Sequence, residues 1–305
     1  MARFLVTGAF GCIGAWVVHE LVRSGRDVVA FDLDTEPRRL RLLIGEEADR
    51  VPRAVGDIAD QASLDSAVAR HAITNIIHLA ALQVPFVRAD PPLGARVNVL
   101  GTVNVFEVAA RRELAPVVYA SSVAALDAAG GAAGAPSTLY GVFKRTNELT
   151  ARVYFEEGGV ASVGLRPHTV YGVGRDQGLT SAPTTAMLAA AAGTRYRIPF
   201  GGACQLQLAR DAARAFIAAS DAGAEGASTH NLPGRTTRIA DIVAAIDTDG
   251  IEFDGEPLPF VDELDAGSFL ELVPEFTETT LDEGVELTIG AFRKLLERGL
   301  LTAPG

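Results

Sequence analysis

The sequence predicts an α/β protein built on a doubly wound parallel sheet, with a smaller C-terminal lobe. Short apolar runs alternate with longer segments of helical period through the first half, the pattern of parallel strands joined by crossover helices. The first strand-to-helix turn is rich in glycine, and past Gly172 the pattern loosens into acidic, proline-bearing segments from 247 to 280. At 305 residues the chain has room for one large domain or two joined lobes.

In order, the apolar runs predict strands over residues 4–7, 28–32, 76–79, 116–121 and 160–165. Helical spacing predicts helices over 13–24, 63–70, 92–112 and 139–157, then near 182–192 and 209–221. The Gly/Ala-rich stretch 124–136 has neither period and is expected to be a loop over the sheet's carboxyl edge, where ligands of such folds sit. The helix that holds Val97, Val99, Leu100, Val103, Val105, Phe106 and Val108 is apolar on nearly every side. It is therefore either a deeply buried crossover or a surface for the same helix of a second subunit, and the homodimer is favoured.

Hydrophobic residues make up 48% of the chain and charged ones 21%, an ordinary globular balance. The net charge of −11 has the wrong sign for nucleic acid or an anionic membrane surface. No apolar stretch nears the ~18 residues of a membrane span. Cys12 and Cys204 stand far apart without a Cys-x-x-Cys or Cys/His cluster, so neither a disulfide framework nor a metal site is expected. A reducing cytoplasm fits this usage, and the opening Met-Ala-Arg passes into the first strand without a leader.

Residues 7–14, Thr-Gly-Ala-Phe-Gly-Cys-Ile-Gly, follow a strand and open a helix. Gly8, Phe10, Gly11, Cys12 and Ile13 are thus candidates for a backbone cradle that meets a dinucleotide pyrophosphate at a helix N-terminus. Asp32 closes the next strand, 18 residues after Gly14, where a carboxylate accepts ribose hydroxyls and repels a 2′-phosphate. NAD is favoured over NADP, with Arg38 and Arg39 the nearest cations that could answer a phosphate.

Tyr140 and Lys144 form a Tyr-x-x-x-Lys pair on one helix face. Lys and Arg number 27 together, yet lysine occurs only at 144 and 294, so a chance pairing at this spacing is expected far less than once. An ammonium beside a phenol stabilises phenolate, which lets tyrosine exchange a proton with a substrate hydroxyl at neutral pH. Ser122, at the end of the preceding strand, would hold the reacting oxygen against that tyrosine.

These motifs, with Asp57-Ile58, His78-Leu79-Ala80-Ala81, Asn98 with Gly101-Thr102, and Arg166 to Gly172, resemble the extended short-chain dehydrogenases/reductases, the NAD-dependent epimerase/dehydratase family. The resemblance covers most of residues 1 to about 235. It implies a Rossmann domain over 1–170, with a return segment near 206–232, and a substrate lobe from 171–205 and 233–305. It also implies that Asp57 and Ile58 flank the adenine, and that Leu79, Ala80 and Ala81 line the cofactor, with Asn98 in the same set. Pro167 would border the nicotinamide, and Ser122, Tyr140 and Lys144 would be catalytic, Lys144 also holding the nicotinamide ribose.

Departures from the family pattern narrow the chemistry. Dehydratases of the family carry Thr-Asp-Glu after the catalytic strand, where this chain has Ser122-Val123-Ala124, so elimination of water is disfavoured. In nucleotide-sugar enzymes of the family an arginine grips the substrate diphosphate, and the matching position appears as Cys204. A substrate smaller than a nucleotide sugar, a free sugar or sugar acid, is expected. His168 beside the nicotinamide site, Gln83 past the Ala80-Ala81 turn, and Thr180-Ser181 opposite are placed around it. The expected activity is NAD-dependent hydride transfer at a carbinol or carbonyl carbon of a sugar-like molecule, as epimerase or dehydrogenase. The alternative is a dinucleotide-binding redox sensor without turnover.

Overall fold

A computed structural model describes residues 2–127, 129–258 and 261–304. Seven strands form one parallel sheet: β1 Arg3–Thr7, β2 Asp27–Asp32, β3 Arg53–Val55, β4 Asn75–His78, β5 Val117–Ala120, β6 Ser162–Arg166 and, after three strands elsewhere, β10 Ala227–Asn231. Their order is β10-β6-β5-β4-β1-β2-β3. The first three strands step one way from β1, and the chain then returns to lay β4 on its other side, so the order reverses between β1 and β4. Thr7 lies level with Phe31 on β2 and with His78 on β4, which brings three strand ends to one edge at that reversal.

Alternation along β1 sends Phe4 and Val6 to one face and Leu5 to the other. Phe4 and Val6 pack with Val17, Val18 and Leu21 of α1 (Cys12–Arg23) and with Ala212, Ala213 and Phe216 of α9 (Ala209–Asp221). Leu5 shares the opposite core with Leu64 and Val68 of α3 (Gln61–Arg70) and with Val105, Phe106 and Val108 of α6 (Gly101–Arg111). Helices on both faces explain why the strands read as unbroken apolar runs.

A second hydrophobic cluster lies past Tyr171. Strands β7 (Thr169–Tyr171), β9 (Ala203–Leu208) and β11 (Arg235–Arg238) form a small sheet, and β8 (Tyr196–Ile198) pairs with β12 (Ile251–Phe253). Cys204, Leu206 and Leu208 meet Met187 of α8 (Ala182–Ala192), Ile242 of α10 (Ile239–Ile246), and Ile289 and Phe292 of α12 (Leu281–Glu297). Phe269, on α11 (Gly267–Leu272), and Phe276 instead join the large sheet's core.

The helix expected over 92–112 is three pieces: α5 (Pro91–Ala95), a π-helical turn Arg96–Leu100, and α6. The wider turn accompanies Asn98 turning inward, where it is 1% exposed and its amide both donates to Leu82 O and accepts from Leu82 N. The sequence reading also passed over the short helices α2 (Arg38–Ile44) and α4 (Val84–Ala89), the three-residue strand β3 and, past residue 221, α10, α11 and the 17-residue α12. Segment 124–136 forms a short 3-10 turn and then a loop folded around Asp127, whose carboxylate accepts from the amides of Ala129 and Gly131; Ala128 lies outside the described residues. Among the described residues no helix is long and apolar enough to cross a membrane.

Under the carboxyl edge, Glu148 of α7 (Leu139–Gly158) accepts from Ser121 Oγ at 2.5 Å and from Arg166 Nε and Nη2 at 2.7 and 2.8 Å, with Arg145 at 2.9 Å. Burial alone would raise its pKa, but Arg166, Ser121 and Arg145 together hold it below the usual carboxylate value. Its folded pKa therefore lies under the unfolded value of ~4.3, and the network's stabilisation is complete above that pH and lost as pH falls through the folded value. Removing the carboxylate by Glu148→Ala strands Arg166, and urea unfolding at neutral pH should register a loss of about 3–5 kcal/mol. Glu148→Gln should cost less and unfold with a shallower acid dependence than the parent.

Candidate functional site

The reversal of strand order sets the site. Gly8 leaves β1 with φ +65°, and a Cβ there would stand 2.7 Å from the backbone of Ala80. Only glycine lets these two turns meet so closely. Gly14 is needed for the same reason, since a Cβ on it would overlap the Gly8 carbonyl. Beneath the contact, Leu79 N donates to Thr7 O at 3.1 Å and to Thr7 Oγ1 at 3.2 Å.

His78 braces this junction. Thr102 Oγ1 donates to Asn98 O at 2.8 Å, so it accepts from His78 Nε2 at 3.1 Å, and His78 Nδ1 then accepts from Thr7 Oγ1 at 2.7 Å. Burial, with the charge of Lys144 adding to it, lowers the imidazole to about 3, so it stays neutral. Asn98 belongs to the same brace. Its side-chain amide bonds Leu82 and its main-chain carbonyl accepts from Asn147 Nδ2 at 2.9 Å, so it ties the 80–83 turn to α7.

The residues present fit a dinucleotide. Gly11 caps α1 without a side-chain acceptor, leaving the first-turn amides of Cys12, Ile13 and Gly14 to an incoming anion. Asp32 accepts from Phe10 N at 2.9 Å and Asp34 N at 3.1 Å, which fixes a carboxylate beside the loop. Arg39, a possible partner for a 2′-phosphate, is instead spent: it donates to Phe10 O at 3.1 Å and to Asp176 through Nε and Nη2, at 3.1 and 2.7 Å to the same oxygen. Asp57 accepts from Ala59 N and stands 3.6 Å from Arg96, while Ile58 is buried against α6 and its carbonyl accepts from Asn104.

Ser122, Tyr140 and Lys144 gather at the same sheet edge. Thr138 caps α7 by accepting from Gly141 N at 3.0 Å, which starts the helix so that Tyr140 and Lys144 fall one turn apart. Ser122 Oγ accepts from Ala124 N at 3.1 Å and turns the chain after β5, while Pro167 O accepts from Val123 N at 3.0 Å. Lys144 Nζ donates to Ala120 O at 2.6 Å and lies 5.8 Å from the centre of the Tyr140 ring. Burial lowers the ammonium to about 8, against the pull of Glu148 one turn along.

Burial pushes the Tyr140 phenol up, while the Ser122 hydroxyl and the charge of Arg175 draw it back. Sequence reasoning gave that second role to Lys144 and passed over Arg175. The one available signal was the arginine directly after the Tyr171-Gly172-Val173-Gly174 run.

The four substrate candidates divide. Gln83 and Thr180 come together on Arg175, whose Nη1 donates to Gln83 Oε1 at 3.2 Å and whose Nη2 donates to Thr180 Oγ1 at 2.8 Å. Ser181 is buried and donates to Gly178 O at 2.7 Å, so it shapes the turn. His168 is engaged at both ring nitrogens, by Val261 O at 2.7 Å and Thr169 Oγ1 at 3.1 Å, and burial lowers its pKa. These bonds fix Ser181 within its turn and hold the His168 ring against the chain at Val261. Cys204 is buried in the second core, where burial raises its thiol to about 11, and it offers nothing to a diphosphate. Among the described residues no cluster of three or more His, Cys, Asp or Glu is placed to hold a metal ion.

Residues 4–232 match the model of the NAD dependent epimerase/dehydratase family. A UDP-glucose 4-epimerase of Mycolicibacterium smegmatis is 39% identical over 122 residues, covering 39% of this chain and 38% of that protein. A probable UDP-glucuronate 4-epimerase of Rhizobium meliloti is 30% identical over 56% of this chain and 54% of its own length. The chain thus spans about half or less of the curated relatives it matches. Among solved structures, an L-threonine dehydrogenase of Clostridium difficile superposes with a TM-score of 0.84 at 21% identity, covering 99% of both chains. A UDP-glucose 4-epimerase of Thermus thermophilus, in complex with NAD, gives 0.78 at 23% identity over 95% of this chain and 99% of that one. The family model spans the whole of the large sheet from β1 to β10 and includes the glycine loop, and this chain belongs to the NAD dependent epimerase/dehydratase family.

Proposed function

We propose that this protein moves a hydride between NAD and a carbinol carbon of a polyhydroxylated substrate smaller than a nucleotide sugar, with Tyr140 as the acid/base. The observation that carries the reading is the meeting of Ser122, Tyr140 and Lys144 at the sheet edge beside the Gly8–Gly14 loop. Bound NAD would supply the hydride acceptor at its nicotinamide. Ser122 orients the reacting hydroxyl, and Tyr140 as phenolate takes that hydroxyl's proton while the carbon–hydrogen electron pair leaves as hydride. Lys144 keeps positive charge near the ring and would hold the nicotinamide ribose of a bound NAD. Run in reverse, the phenol returns the proton to a carbonyl oxygen; its raised pKa suits it to that half.

The named relatives include enzymes called epimerases and enzymes called dehydrogenases, which differ in whether the hydride returns to the substrate or leaves with the cofactor. A free sugar or sugar acid is supported by Cys204, which buries a thiol where a diphosphate would need a cation. The second hydrophobic cluster, past Tyr171, serves as the substrate lobe in this reading.

A homodimer completes it. Leu139, Val142, Leu149 and Val153 of α7 and Leu100 before α6 are each at least 40% exposed, an apolar surface on the two helices that would meet their copies in a four-helix contact. Sedimentation at micromolar concentration should give a dimer that Val153→Glu converts to a folded monomer; a monomeric parent protein would refute the pairing.

Tyr140→Phe should leave NAD affinity within a fewfold of the parent and abolish single-turnover hydride transfer, since the ring still packs and only the transferable proton is gone. Lys144→Arg keeps the charge but not the compact donor, and activity should fall by orders of magnitude with folding intact. In the same titrations NADP should bind more weakly than NAD, because Asp32 faces its 2′-phosphate without Arg39 to compensate. Near-parental turnover of Tyr140→Phe would show the assignment to be wrong.

A further inference from the structure

Arg175 carries a positive charge beside Tyr140 that no carboxylate of the described residues neutralises. It has no ion pair among them, and its two hydrogen-bond partners, Gln83 Oε1 and Thr180 Oγ1, are neutral. Its Nε is buried without a partner. The adjacent carboxylate, Asp176, is held in a fork by Arg39 and makes no ion pair with Arg175. The cradle is built closely: Gly178 has φ +84°, and a Cβ on it would stand 3.2 Å from Gln83 Oε1 and 3.7 Å from Arg175 Nη2. Its charge acts on both the Tyr140 phenol and the Cys12 thiol, drawing each pKa down against burial.

A guanidinium with an unpartnered Nε and only neutral companions is a receptor for an anion, and its planar fork matches a carboxylate. The pyrophosphate of the cofactor already has the α1 amides and the helix dipole. We propose that Arg175 receives the carboxylate of the substrate, so that the molecule oxidised or epimerised here is a sugar acid. Gln83 and Thr180 hold the fork in place, and the carboxylate fixes which carbinol carbon is presented to Tyr140. The assignment rests on the hydride-transfer reading above, and it is tested by binding so that the two can fail separately.

The experiment titrates the NAD-saturated protein calorimetrically with D-glucuronate, D-galacturonate and D-gluconate, and with D-glucose, D-galactose and sorbitol as their neutral counterparts. At least one acid should bind roughly tenfold or more tightly than its counterpart. Arg175→Met should erase that preference while NAD affinity changes less than twofold, and Arg175→Lys should retain part of it, with thermal unfolding showing both variants folded. Acids that bind no better than their counterparts, or a preference that survives Arg175→Met, would overturn the proposal. So would a drop in NAD affinity in Arg175→Met with the acid preference intact, which would give the cation to the pyrophosphate. An acid that binds through Arg175 yet yields neither NADH absorbance nor a change of stereochemistry would sink the hydride-transfer reading alone.

Discussion

The structure depends on one close approach, that of the Gly8 turn to the Ala80 turn where strand order reverses between β1 and β4. A doubly wound sheet opens a crevice at its reversal, and a ligand there meets the carboxyl ends of strands from both halves. Here the two turns touch backbone to backbone, which places the bare amides of α1 against the exit of β4. Thr7, His78, Thr102 and Asn98 form the chain of hydrogen bonds that keeps them so. A neutral histidine suits that position, because a buried imidazolium would need a counter-charge that the junction does not hold.

The charges around the site follow from the same economy of space. Lys144 is buried and bound to a carbonyl, and its nearest carboxylate, Glu148, is shared among Ser121, Arg145 and Arg166. The ammonium is therefore only partly compensated and sits near its point of neutralisation, at about 8. Across the crevice Arg39 ties Phe10 in the glycine loop to Asp176 in the turn after β7, and so fixes the stretch that carries Arg175. The glycine loop and the turn that carries Arg175 are thereby one connected unit.

The sheet and its main helices were legible because burial on both faces of a parallel strand leaves an apolar run, and one-sided packing leaves helical period. Elements too short to show either, such as β3 and α4, were not, and α12 escaped as well although its 17 residues bury Val285, Ile289, Phe292 and Leu295 on one face. The break at Arg96–Leu100 escaped because a π turn leaves the local apolar pattern unchanged; what drives it is Asn98 bonding to Leu82, a tertiary contact. The glycine loop and the Tyr140/Lys144 pair were readable from spacing, since their chemistry constrains neighbours in sequence. Arg175 was not, because Gln83 lies 92 positions away. The bond from His168 to Val261 O was hidden for the same reason, since the two lie 93 positions apart.

The account stands most directly on Gly8. Gly8→Ala puts a methyl group against the Ala80 backbone in a conformation that L residues rarely adopt, and should part the two turns without removing any core side chain. The decisive measurement is NAD affinity of this variant by fluorescence titration, with cooperative unfolding monitored alongside. A loss of about a hundredfold or more in a cooperatively folded protein is the expected result, and parental affinity would contradict the claim that this contact builds the site.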